Sequence, residues 1–339
     1  VSAEQQRLDE DREKKRHWRK WGPYLSERQW GTVREDFSKD GEAWDSFTFE
    51  QAKSRVYRWG EDGIAGISDN HQKLCFAWTF WNEKDPILKE RLFGLSGKEG
   101  NHGEDVKEYY FYCDNVPTHS YMRYLYKYPQ EAFPYQKLID ENKRRSSRDL
   151  EYELLDTGVF DQNRFFDIYI EYAKADPEDL CFRITACNRS SESKPLHILP
   201  TVWFRNTWSW GGVVKKPVLK LADNKLVAEV PELGNYYFYC DGSAKYIFTE
   251  NENGLKDAFH RYLPGNQKNA VNANPYGTKA AAHFRLELAP GECRTLYFRL
   301  TRDKNLSDPL KNVAEVVNKR QKEADEFYSK IHHPSSSDD

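Results

Sequence analysis

The chain reads as mainly β, built from stacked antiparallel sheets with peripheral helices and a helix near its C-terminal end. Short runs of β-branched and aromatic residues recur from Leu74 onward, with Gly, Asn, Asp or Pro in most of the turns between them. No helical pattern alternates with these runs, which argues against a parallel α/β sheet. The runs cover residues 74–81, 108–114, 151–155, 165–172, 180–188, 196–204, 225–230, 236–240, 245–249, 283–288 and 294–301. In the last of them Leu296, Phe298 and Leu300 alternate with Thr295, Tyr297 and Arg299, as expected of a strand with one face on a core.

The flanks differ from this pattern. Residues 4–20 mix Glu10, Asp11 and Glu13 with Arg12, Lys14, Lys15 and Arg16, which reads as a solvated helix held by i,i+4 pairs. Residues 21–66 are irregular and rich in tryptophan, and periodicity assigns them neither helix nor strand. After the β region, Asp308 offers an N-cap and Pro309 a first helical position. Leu310, Val313, Val317, Ala324, Phe327 and Ile331 follow at helical spacing. That amphipathic helix needs a partner, either the sheets or a helical domain beyond them.

Composition narrows the function. The 339 residues carry 51 Lys plus Arg against 54 Asp plus Glu, and a net charge of −3 gives no broad field for nucleic acid or anionic lipid. The mean hydropathy of −0.90 is low. The 19 Phe, 10 Trp and 21 Tyr nevertheless supply large apolar bodies for a core. Cys75, Cys113, Cys181, Cys187, Cys240 and Cys293 show no metal spacing and are expected to be free thiols. There is no stretch of about 18 apolar residues and no signal-peptide pattern, so a membrane span is not expected and a cytoplasmic home is the simplest reading. The chain begins at Val1 and stops in Ser335, Ser336, Ser337, Asp338 and Asp339, which reads as an excised segment with an upstream signal and a downstream domain both left open.

Three clusters combine glycine, tryptophan and charge: WGPYLSERQWGTVRED at 21–36, YRWGEDG at 57–63 and FRNTWSWGG at 204–212. Glycine beside a flat ring lets a ligand approach closely, and the charged side chains offer directional bonds to hydroxyls, which suits a carbohydrate. The same tryptophans could instead plug the sheets, with the charges paired locally. Glycoside hydrolysis needs two carboxylates, and the candidates are Glu27, Glu35, Asp36, Glu61, Asp62, Glu104 and Asp105. His102 sits in a glycine-rich loop beside Glu104 and Asp105, where a structural turn competes with an ion site. His332 and His333 have no ligand partner at metal spacing, so no metal role is assigned to them. Neither a nucleophile elbow nor a nucleotide-binding glycine loop is present, and no cofactor is expected.

The run WGPYLSERQWGTVRED, followed in order by YRWGEDGIAG, GNHGEDVKE, LLDTGVF and WFRNTWSWG, resembles the N-terminal region of long proteins of glycoside hydrolase family 63. The resemblance runs collinearly from about Trp18 to about Tyr328 and is nearest to the family's branch of microbial α-glucosidase-like proteins. It implies an antiparallel super-β-sandwich, at 21–303, preceded by a charged extension at 1–20. A linker helix at 304–334 would lead into an (α/α)6 toroid of the same polypeptide. In the family that toroid carries the inverting acid and base, so no catalytic residue is carried over to this chain. The substrate class implied is an α-glucoside oligosaccharide. Tyr24, Arg28, Trp30, Arg34, Trp208 and Trp210 are the residues expected at the rim of the sugar site. Two other readings stay open: a free-standing carbohydrate-binding module, and a complete small glycosidase using a pair such as Glu35 and Glu61.

Overall fold

Period-two alternation decides which face each strand buries. The computed structural model describes residues 1–28, 48–55, 60–95, 99–101, 105–211, 215–242, 244–252 and 256–332. In chain order the first strands are β1 (Trp21–Gly22), β2 (Ile64–Asp69), β3 (Leu74–Trp81), β4 (Gly94–Leu95), β5 (Asp105–Val106), β6 (Tyr109–Asn115), β7 (Tyr121–Pro129), β8 (Phe165–Asp176) and β9 (Asp179–Asn188). There follow β10 (Lys194–Phe204), β11 (Val218–Ala222), β12 (Lys225–Val230), β13 (Gly234–Cys240), β14 (Lys245–Thr249), β15 (Tyr276–Gly277), β16 (Lys279–Leu288) and β17 (Cys293–Thr301). The α-helices are α1 (Ala3–Arg12), α2 (Phe49–Ala52), α3 (Tyr135–Arg144), α4 (Ala258–Tyr262) and α5 (Val313–Ser329).

A six-stranded sheet in the order β1-β2-β3-β10-β16-β14 faces a nine-stranded sheet in the order β15-β11-β12-β13-β17-β9-β8-β7-β6. The expected mainly β sandwich is therefore the fold. Its interior is aromatic. Phe76, Trp78 and Phe80 of β3 point inward, with Phe76 against Phe182 at 4.7 Å, Trp78 against Phe298 at 5.2 Å and Phe80 against Tyr126 at 5.8 Å. The Trp78 indole donates to the Tyr172 hydroxyl at 2.7 Å, so the polar edge of a buried ring is satisfied across the sheets.

Several expectations are corrected. Residues 151–155 form no strand; they lead into a short turn of helix at Leu155–Thr157, with Leu154 as a buried plug. Among the longer strands, β2, β7 and β11 lie outside the runs expected from the sequence. The terminal helix begins at Val313 rather than at Pro309, with Asn312 before it. It has its partner in the sandwich: Val313, Val317 and Ala324 pack with Val116, Tyr121, Ala173 and Cys181 on the outer face of the nine-stranded sheet. Cys187 and Cys293, paired in register on β9 and β17, form a disulfide across 106 residues and are not the free thiols expected from their spacing.

The N-terminal helix is not merely a solvated one. Glu4 is fully buried beneath α5 and accepts from Thr118 N at 2.8 Å, Thr118 Oγ1 at 2.9 Å and Ser120 Oγ at 2.9 Å. Arg7 bonds both Glu4, at 3.0 Å, and Glu323 of α5, at 2.7 Å. Lys174 of β8 donates to the carbonyls of Trp18, Trp21 and Thr118, and burial lowers its pKa to about 7. Because Glu4 satisfies so many buried donors, Glu4→Ala is expected to destabilise the fold by about 3 kcal/mol. Urea unfolding measures this, and a loss below about 1 kcal/mol would show that the N-terminal helix is only loosely attached.

Candidate functional site

The outward residues of the six-stranded sheet are Cys75, Ala77 and Thr79 on β3, Thr201 and Trp203 on β10, and Lys279 and Ala281 on β16, all buried. What covers them is charged. Residues 60–63 cross the sheet so closely that a Cβ on Gly63 would lie 2.3 Å from that of Ala77. A strap at 85–93 lies beside them, held by the mutual backbone bonds of Phe80 and Lys89 at 3.0 and 2.9 Å. Lys256, just ahead of α4, closes the cover.

Three ion pairs join these layers. The Glu61 carboxylate contacts the Lys256 ammonium and accepts the Trp203 indole N–H at 2.9 Å, while Lys256 sits over the Trp203 ring at 4.9 Å. Asp62 pairs with Arg91, whose Nη1 also donates to the Ala52 carbonyl at 2.6 Å. Glu90 pairs with Lys279 at 2.5 Å, and Lys279 donates again to the Lys256 carbonyl at 3.1 Å. Burial pulls the Lys256 ammonium well below its ordinary pKa, and Lys279 adds to the effect. Burial also opposes the charge on Arg91, but Asp62 more than offsets it and raises the Arg91 pKa.

This arrangement limits the chemistry. The space among Asp62, Thr79, Thr201, Trp203, Lys256 and Lys279 is about 20 Å³, room for a water molecule and not for a sugar ring. Each of the three carboxylates is held by a cation. An inverting glycosidase needs instead a protonated acid and a separate base with a water between them.

Behind the strap the surface opens. A cleft of about 510 Å³ lies between α2, residues 86–93, the start of α3 and the start of α4. Phe49, Phe93, Tyr135 and Ile139 form its apolar wall, and Glu50, Lys53, Gln136, Asp257 and His260 its polar one. His260 Nδ1 accepts from the Leu88 N–H at 3.2 Å, which leaves the proton of the neutral ring on Nε2. The volume falls within the usual range for small-molecule sites, and Glu90 and Arg91 join this cleft to the ion pairs.

The expected rim residues divide between two places. Tyr24 packs edge-on against His119 at 5.8 Å, and its carbonyl accepts from the Gln72 side chain. Arg28 follows Glu27, whose carboxylate receives the Tyr112 hydroxyl at 2.7 Å. Trp208 lines a separate recess of about 110 Å³ with His71, Lys73 and Arg205, its indole donating to Glu252 at 3.3 Å. Trp210 lies under the Arg205 guanidinium at 5.5 Å. The β2–β3 turn, which carries His71, Gln72 and Lys73, is what the two places share. Trp30, Arg34, Glu35, Asp36, His102, Glu104 and His333 lie outside the described residues.

Asp105, Glu151 and Glu153 come together within ligand distance of one another, but the buried Lys107 ammonium lies among them, 2.9 Å from Glu151 and 3.3 Å from Glu153. It fills the position a metal cation would take. Burial and a hydrogen bond to Glu151 raise the Asp105 pKa to about 7. The sequence flags Glu61 and Asp62 but not Glu90, Arg91, Lys256 or Lys279. Lys279 opening the alanine-rich strand KAAAHF is the one visible signal.

No protein-family model matches the chain. It is similar to "Uncharacterized protein YMR196W" of Saccharomyces cerevisiae, with 42 % identity over 391 residues of alignment that cover 97 % of this chain and 36 % of the yeast protein. The chain therefore spans 36 % of the length of that relative. Among solved structures, the "Putative aldose 1-epimerase" of Escherichia coli K12 aligns over 54 % of this chain and 65 % of its own, with 11 % identity and a TM-score of 0.26. A likeness that low carries nothing to this chain.

If the ion pairs close the sheet face, Lys256→Met should destabilise by about 3 kcal/mol, because it strands the Glu61 charge. Adding Glu61→Gln should recover at least about 1 kcal/mol. Strictly additive losses in urea unfolding would show that the two residues do not act as a pair.

Proposed function

We propose that this chain is the non-catalytic sandwich portion of a longer α-glucosidase-like glycoside hydrolase related to family 63. On this reading residues 21–303 are the sandwich, and the stretch at 304–334 containing α5 is the connector to an (α/α)6 catalytic toroid. The sandwich supports the toroid and lends residues to the rim of an α-glucoside site. The observation that carries the reading is that Glu61, Asp62 and Glu90 are each neutralised by a cation around a space of about 20 Å³, so they serve as counter-ions rather than as acid and base. The collinear motifs and the greater length of the yeast relative fit a division of labour within one polypeptide. Trp208, at its open recess, and Tyr24, Arg28, Trp30, Arg34 and Trp210 are the residues through which the sandwich would touch the sugar or the domain that holds it.

The test is hydrolysis of a panel of α-glucosides by this chain and, in parallel, by the full yeast relative. Activity is expected only in the longer protein, where alanine at the positions matching Trp30 or Trp208 should raise KM. Turnover by this chain alone would overturn the proposal, and silence in both would remove the α-glucosidase assignment.

A further inference from the structure

α5 packs across β7, β8, β9 and β17 on the outer face of the nine-stranded sheet, and beside it runs a strip of charged side chains in which one guanidinium has no bonded partner among the described residues. Strand register sets Arg123, Glu171, Arg183 and Tyr297 in one row across β7, β8, β9 and β17. Glu171 is committed to Arg183, which bonds both of its oxygens at 2.6 and 2.7 Å, and it also receives the Tyr121 hydroxyl at 2.8 Å. Arg183 is held a third time by Asn318 of α5 at 2.7 Å. Arg123, directly opposite Glu171, is thereby left over: it makes no hydrogen bond or ion pair among the described residues, and its Nε is shielded from solvent with no acceptor. Its guanidinium lies over the Tyr169 ring at 5.2 Å. Asp114 is its register partner on β6 but forms no ion pair with it.

Two rows further along, Asp167 is shared by Lys127 at 2.6 Å and Arg189 at 2.7 Å. The strip therefore sets Arg123, Lys127, Arg183 and Arg189 against Glu171, Asp167 and the unpaired Asp114, one carboxylate short of balance. Beside Arg123 is a recess of about 270 Å³, with the Thr185 and Thr295 hydroxyls bonded to each other at 2.9 Å on its floor and Gln321 of α5 on its wall. A half-buried guanidinium without a bonded counter-ion is expensive, and a fork of N–H donors matches a carboxylate or phosphate oxygen pair.

We propose that this recess binds a small molecule through an anionic group, a carboxylate or a phosphate, with Arg123 as the cation that engages it. The tyrosine ring beneath the guanidinium holds the fork in place, and the hydroxyl pair and Gln321 bond the remainder of the ligand. The site lies on the opposite sheet from the Glu61–Lys256 pair and does not depend on the α-glucosidase reading.

The experiment is an NMR titration of this chain with inorganic phosphate, glucose 6-phosphate and glucuronate, with glucose as the neutral control, following the side-chain Nε–Hε resonance assigned to Arg123 by its loss in Arg123→Lys and, in the wild type and the variants alike, the backbone amides of Tyr169, Thr185 and Thr295 around the recess. At least one anion should bind saturably at millimolar concentration or tighter, and the ester and the uronate separate the two anionic groups. Glucose should leave the resonance in place, and added salt should weaken binding. Loss of the charged fork in Arg123→Gln should raise Kd roughly tenfold or more. Arg123→Lys, which keeps the charge, should retain part of the affinity and serves if Arg123→Gln does not fold. No saturable shift with any anion, or equal affinity in the variants, would overturn the proposal.

Discussion

The ion pairs that fasten the 85–93 strap onto the six-stranded sheet are the constraint on which this side of the molecule depends. The chain bends at Glu90, and three neighbouring charges of the strap reach different partners. Lys89 turns to one side, where it lies 3.1 Å from Glu108 and 2.7 Å from the Tyr135 hydroxyl. Glu90 meets Lys279 and Arg91 meets Asp62. Burial raises the Glu108 pKa against the pull of Lys89. Pairs of this kind gain little over apolar packing but are costly to break, so they fix where the covering segments sit more than they add to stability.

That closure explains both what is legible in the sequence and what is not. β3 reads LCFAWTFW without alternation because the strap and residues 60–63 bury its outer face as fully as the sandwich buries its inner one. β17, with one face half-open, shows the alternation that makes it easy to find. β7 is harder to read, although Met122, Tyr124, Tyr126 and Tyr128 face the core and alternate with Arg123, Leu125 and Lys127. Tyr121 packs under α5 on the outer face and Leu125 shares that face, so apolar bodies stand on both sides of the strand and blur the period.

Charge is the harder signal. Glu61 and Asp62 stand out in the sequence as carboxylates beside tryptophan and glycine, but their role rests on partners that no local pattern reveals. Lys256 is 195 residues from Glu61, and Lys279 is 189 from Glu90. Glu4 and Arg7 look solvated because α5, the element that buries them, arrives some three hundred residues later, with Arg7 and Glu323 separated by 316. Cys187 and Cys293 likewise meet only through the register of β9 with β17. An aromatic core and strand turns are local properties, whereas counter-ions are tertiary ones.

The same logic separates closed from open chemistry on this sandwich. The sheet face beneath the strap is sealed around a space of about 20 Å³, whereas the 510 Å³ cleft and the Arg123 recess are open. Native-state hydrogen exchange tests the sealing most directly. The amides of Gly63, Phe80 and Lys89, bonded to Ser26, Lys89 and Phe80 respectively, should exchange only with global unfolding, at the same free energy as the β3–β10 ladder. Exchange of Gly63 and Lys89 through a separate, lower-energy opening would contradict the account, because the cover would then be a lid rather than part of the core.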